Sequence, residues 1–155
     1  MHVYGSGSAE EKEKINAMAK GYSNIHIMGF ADDKDLPTIF GKCIAAIGIN
    51  PDEDLLMGIM EAMASGKPGI SINPDKNCTE RVLLQKTGIL IKDESDLCDA
   101  VKMLNSKMAH EMRFACKERS KLFSSDNYIN TILSKLENQK NLNGVHLAST
   151  EIQKV

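Results

Sequence analysis

Two glutamates, Glu53 and Glu61, stand eight positions apart, and the small residues after the second lead into Gly66-Lys67-Pro68. Carboxylates accept hydrogen bonds from sugar hydroxyls, while a helix start offers phosphate unpaired N–H groups and a partial positive charge. A loop glutamate, a helix N-terminus and a second glutamate two turns on can together hold a phosphate flanked by hydroxyl-rich groups. On a helical wheel begun near Leu56, the residues Leu56, Ile59, Met60 and Met63 gather on one arc, which is a core stripe. Glu61 and Ser65 project from another side, beside Gly58 and Ala62, and that leaves room for a ligand to approach. By residue type alone the two glutamates read more readily as solvated surface groups.

Other motifs carry less. Gly5-Ser6-Gly7 begins like a dinucleotide fingerprint, but Glu10 occupies the third small-residue position, where a carboxylate repels a pyrophosphate. The segment is better read as a tight strand-to-helix turn. Gly66-Lys67 resembles the end of a P-loop, yet Pro68 replaces the required Ser or Thr and a strand follows instead of a helix. His2, His26, His110 and His146 lack metal-ligand spacing, and no nucleophile-base constellation can be assigned.

The elements that must position the glutamates follow from periodicity. Short apolar runs alternate with segments of helical period, the pattern of an α/β parallel sheet built from right-handed βα units. Strands are expected at His2–Tyr4, Asn24–Gly29, Ile44–Ile49, Gly69–Ile72 and Gly88–Ile91. Ser8 and Glu11 have capping-box spacing ahead of a helix with Ile15, Met18 and Ala19 on one face, stopped by Gly21. Asp35–Lys42 is a short helical connection with Pro37 in its first turn. Met57–Ser65 and Thr79–Lys86 supply further helices. Leu97, Ala100, Val101 and Leu104 form another apolar stripe, and C-terminal helices follow around Met108–Leu122 and Tyr128–Leu136. Residues 1–137 thus read as one domain and 138–155 as a loosely held polar tail.

A length of 155 residues with 42% hydrophobic content suits one core. The formal charge of −2 provides no global basic field for nucleic acid, so no nucleic-acid partner is expected. Cys43, Cys78, Cys98 and Cys116 form no CxxC pair and no apolar signal segment precedes them, so reduced thiols in a cytoplasmic protein are expected. No run approaches the ~20 apolar residues of a membrane span, although a peripheral membrane role stays open.

Glu53, seven intervening residues and then Glu61-Ala62-Met63-Ala64-Ser65-Gly66-Lys67-Pro68 resemble the E-x7-E motif and its sequel in group-1 retaining glycosyltransferases of the GT-B fold. The resemblance extends from about His2 to Leu136. Tyr4 to Gly7 is similar to the family's VGxG strand end, and Ile25 to Phe30 to its nucleobase-side strand. Thr79-Glu80-Arg81-Val82 and Thr87-Gly88 are similar to later family elements. The fold it implies is one half of a GT-B enzyme, a Rossmann-like doubly wound parallel sheet with C-terminal helices. Its implied activity is transfer of a sugar, with retention, from a UDP-, GDP- or ADP-linked donor to a glycan, lipid-linked saccharide or polysaccharide.

In residue terms, the resemblance gives Glu61 the nucleotide ribose hydroxyls and Glu53 the hydroxyls of the transferred sugar, with Glu53 as the catalytic candidate. The backbone around Met28 and Phe30 would meet the base, and Leu55, Leu56 and Met57 the donor at the helix start. No metal or other cofactor is implied, because backbone dipoles and basic side chains stabilise the leaving diphosphate. Leu55 and Leu56 stand where family members usually have an aromatic residue and a glycine. The family's first strand, with the basic pair that follows it, and its acceptor-binding domain have no counterpart here. In the usual doubly wound order that strand is central, so its two neighbours are expected to have unpaired edges and the chain alone to transfer sugar poorly. The alternatives are a nucleotide-sugar epimerase fragment and a non-catalytic α/β module that lends its sheet edges to a partner.

Overall fold

A strand-turn-helix alternation runs through the structure, a computed structural model that describes residues 1–48, 57–72 and 86–142. Strand β1 is His2–Tyr4, and helix α1 is Ala9–Ala19. Ser8 caps α1: Ser8 N–H donates to Glu11 Oε2 at 2.7 Å and Glu11 N–H returns to Ser8 Oγ at 3.2 Å. Gly21, at φ +101°, takes the left-handed conformation that ends the helix. Strand β2 is His26–Gly29, followed by a 3-10 turn at Asp33–Asp35 and helix α2, Leu36–Lys42, with Pro37 in its first turn as expected. Strand β3 is Ala46–Gly48, α3 is Met57–Ala64, β4 is Gly69–Ile72 and β5 is Gly88–Ile91. A 3-10 turn at Glu94–Asp96 leads into α4, Leu97–Met103, then α5, Ser106–Lys121, and α6, Ser125–Leu142. Helix α6 continues past Asn138, where a polar tail is expected, as far as Leu142. The expected helix at Thr79–Lys86 falls outside the described residues except for Lys86, which lies in a turn.

The strands are parallel and form two sheets, β1-β2 and β3-β4-β5. In the doubly wound order 3-2-1-4-5-6 the first strand separates the two halves. The observed order fits strands two to six of that plan, with the division falling between β1 and β3. Among the described residues β1 pairs with β2 and β3 with β4, each on one side.

The core lies in the second half of the chain. Ile59, Met60 and Met63 of α3 pack with Ile70 of β4, Ile91 of β5, Ala100 and Leu104, and Met112 and Cys116 of α5. The expected stripe on α3 is thus buried where it is described, while Leu56 lies outside the described residues. Two other expected stripes need correction. Val101 is exposed although Ala100 and Leu104 are buried. Helix α1 buries none of its residues, and Ile15 and Met18 are 43% and 68% exposed. A two-stranded sheet is too narrow to cover a helix face, so the apolar residues of this half stay accessible to water.

Candidate functional site

Helix α3 brings the site together because one side of it is anchored in the core. Ile59 is 2% exposed and Met63 is fully buried, which fixes the rotation of the helix and sets Glu61 on its half-buried flank. Burial pushes the Glu61 carboxyl above the ordinary glutamate range, and the Asp33 carboxylate pushes it further the same way. Asp33 lies in the turn after β2, within electrostatic reach of Glu61. A side chain added at Gly58 would meet nothing within 4 Å, so the helix surface ahead of Glu61 is open. Met57, at the start of α3, is 55% exposed.

Strand β2 supplies the second wall. Met28 and Phe30 are 48% and 72% exposed at its C-terminal end. Gly29 between them adopts φ +77°, and its carbonyl accepts from Gly5 N–H at 2.9 Å, which joins the ends of β1 and β2. Met28 also lines a solvent-open depression of about 740 Å³ between α1 and β2, bordered by Glu13, Asn16, Lys20 and His26. That depression lies on the α1 side, and Glu61 does not line it. Glu53, Leu55 and Leu56, the other expected site residues, lie outside the described residues, as do Thr79 to Val82.

Two positions matter that sequence reading passes over. Asp33 acts on Glu61 electrostatically, and its only signal in the sequence is its place just after the β2 strand end. Ser71 is 1% exposed, and its hydroxyl donates to Gly48 O at 2.7 Å, pinning the C-terminal end of β3 to β4. Glu53 follows β3 in the sequence. Ser71 looks like an ordinary strand residue, and only the cross-strand register reveals its partner.

The N-terminus of α1 is already occupied from within the chain. Ser8 N–H and Ser8 Oγ both donate to Glu11 Oε2, and these bonds lower the Glu11 pKa. A Cβ on Gly7 would come within 3.0 Å of the same oxygen. A carboxylate held there leaves no seat for a pyrophosphate, which agrees with the turn reading of Gly5-Ser6-Gly7.

Parallel strands flanked by helices define a Rossmann-like architecture. The chain belongs to the family "Glycosyl transferases group 1", whose model matches residues 1–107. TarM superposes on it with a TM-score of 0.70 at 20% identity, covering 86% of this chain and 28% of TarM. A S. aureus TarM mutant in complex with Fondaparinux, alpha-GlcNAc-glycerol and UDP gives the same values. Sucrose-phosphate synthase from Thermosynechococcus elongatus has a TM-score of 0.70 at 18% identity, covering 92% of this chain and 38% of its own. These likenesses show the GT-B fold, and the chain spans roughly a third of the length of those proteins. No curated protein matches the sequence.

Proposed function

We propose that residues 1–137 are the donor-binding half of a retaining glycosyltransferase, with 138–155 as a polar extension. Family membership supports glycosyl transfer in general. The observation that carries the finer reading is Glu61, half-buried on a core-anchored helix and within electrostatic reach of Asp33 in the turn after β2. In this reading the ionised Glu61 accepts both ribose hydroxyls of a nucleoside diphosphate sugar, and the backbone at Met28 and Phe30 lies along the base. The start of α3 at Met57, with Leu55 and Leu56 before it, directs N–H groups and a helix dipole at the diphosphate. Glu53 takes the hydroxyls of the transferred sugar and holds its anomeric carbon toward the acceptor.

In the transfer step the bond from anomeric carbon to phosphate oxygen breaks, and its electron pair stays on the diphosphate. The acceptor oxygen forms the new bond on the same face, and its proton goes to a phosphate oxygen. Backbone dipoles stabilise the departing charge without a metal in the donor site. UDP bound to the TarM mutant supports a uridine nucleotide as one candidate donor, alongside GDP- and ADP-linked sugars. The acceptor class, a glycan, lipid-linked saccharide or polysaccharide, rests on the resemblance alone. Cys43, Cys98 and Cys116 are free thiols, which supports a cytoplasmic setting.

Calorimetric titration of the purified chain with UDP, GDP and ADP tests the reading. Saturable binding of one nucleotide is expected, weakened roughly tenfold or more by Glu61→Ala because a charge-assisted hydrogen-bond acceptor is lost. Binding that survives this substitution unchanged, or no binding by a chain shown to be folded, overturns it.

The sheet edges of β1 and β3 favour one further reading, a module that lends them to a partner strand. Native mass spectrometry showing an obligate heteromer would support that reading, and a stable monomer that binds nucleotide would exclude it.

A further inference from the structure

His2 and His26 lie far apart in the sequence but meet in the fold. Each opens its strand, β1 and β2, and the two are direct partners across the parallel pairing. Side chains of directly paired residues leave a sheet on the same face. Both residues are exposed, and their imidazole rings lie 5.3 Å apart between centroids at an interplanar angle of 83°. The Tyr4 ring meets that of His2 at 6.4 Å. His26 also borders the depression between α1 and β2, where Glu13 and Lys20 offset one another in charge.

The ring separation suits a shared transition-metal ion. Zinc binds imidazole nitrogen at about 2.0–2.1 Å, so two imidazoles at a tetrahedral angle on one ion place their centroids about 5 Å apart. Exposed rings turn about χ1 and χ2 without displacing a packed neighbour, so a nitrogen of each reaches the same point. Neutral imidazole is a ligand for zinc, copper and nickel, whereas magnesium and calcium take oxygen. Among the described residues no third His, Cys, Asp or Glu completes the set, so water fills the remaining positions.

We infer that His2 and His26 form a two-histidine site for a late first-row divalent cation, Zn²⁺ foremost, which staples β1 to β2. A staple counts most in this sheet, because among the described residues β1-β2 has one pairing and α1 buries none of its residues. An ion held only while the two strands are paired stabilises that pairing by mass action. Its role is structural rather than catalytic. Both histidines stand at the N-terminal strand ends, and Gly29, between Met28 and Phe30 at the other end of β2, is roughly 10 Å further along the strand. The inference stands independently of the donor-site reading. Sequence spacing gives no sign of the pair, because the two ligands come from separate strands.

Titration of the full chain with Zn²⁺, followed by the NMR signals of the imidazole rings, provides the test, with Cys78→Ser and Cys98→Ser removing competing thiols. The His2 and His26 rings are expected to shift together and to saturate at a single equivalent, while His110, exposed on α5, stays unmoved. His2→Gln or His26→Gln is expected to weaken binding by roughly tenfold or more in calorimetry, because the second imidazole no longer meets an ion already held beside it. With free Zn²⁺ at about 100 times its dissociation constant, amide exchange at Val3 and Ile27 is expected to slow by up to about 100-fold, and a chelator to reverse this. Circular dichroism checks the fold, and should either variant unfold, the ring signals and amide exchange of the chain with both histidines carry the test. Shifts at His110 equal to those of the pair, no saturable shift at one or both of the pair, or affinity indifferent to both substitutions would overturn the inference.

Discussion

At the residue scale, Glu61 joins burial, charge and ligand chemistry in one group. A carboxylate accepts two hydroxyls only when ionised, and here burial first and Asp33 second disfavour ionisation. Nucleotide affinity should therefore be full well above the raised pKa and decline as pH falls through it, with a midpoint above the ordinary glutamate value of 4.5. Asp33→Asn removes one of the two causes and should move that midpoint down, as read from UDP affinity against pH. An unmoved midpoint would mean that Asp33 does not act on the bound state. Stability runs the other way. The folded pKa is raised, so the contribution of Glu61 is fully present below the unfolded value and is lost as pH rises through the folded one. Glu61 itself is legible in the sequence, because α3 has one apolar stripe and the wheel leaves the glutamate on a different side. Asp33 is not, since its proximity comes from two separate segments folding together.

At the element scale, the end of α3 shows how local rules and tertiary packing meet. Gly66 adopts φ +75°, and its N–H donates to Met63 O at 2.8 Å while Lys67 N–H donates to Ala62 O at 2.9 Å, closing the helix. The Gly-Lys-Pro sequence makes a helix stop before a strand readable. That Arg113 and Lys117 lie over the glycine is not readable, because α5 lies far along the chain. Gly66→Ala places a methyl in a left-handed conformation and 2.8 Å from Arg113 Cγ. A loss of about 1–3 kcal/mol is expected, seen as a lower urea midpoint with an unchanged slope. A change below ~0.5 kcal/mol, the scale of an ordinary surface substitution, would show that neither effect operates. Most element positions follow the apolar periodicity, while the ends shift. Strand β2 begins at His26 rather than Asn24, and α6 runs on to Leu142 because its polar residues do not interrupt helical bonding.

At the scale of the whole molecule, composition indicates enough apolar residues for one core but not where that core forms. It assembles around β4, β5, α3 and α5, whereas Tyr4, Ile15, Met18 and Met28 in the first half are 37%, 43%, 68% and 48% exposed. A parallel sheet is stable when both its faces are covered, and among the described residues β1-β2 has only one pairing and an unburied helix. Local stability should follow this division. Amides of Val3 and Ile27, paired in the first sheet, are expected to exchange with solvent at least roughly 100-fold faster than those of Ile70 and Ile91 in the second. Hydrogen exchange read residue by residue by NMR decides it. Equal protection would mean that the two sheets unfold as one cooperative unit although the buried core lies around the second. The expected gradient would make ordering of the first sheet part of what ligand binding must accomplish, and saturation with the preferred nucleotide should then slow exchange at β2 more than at β4.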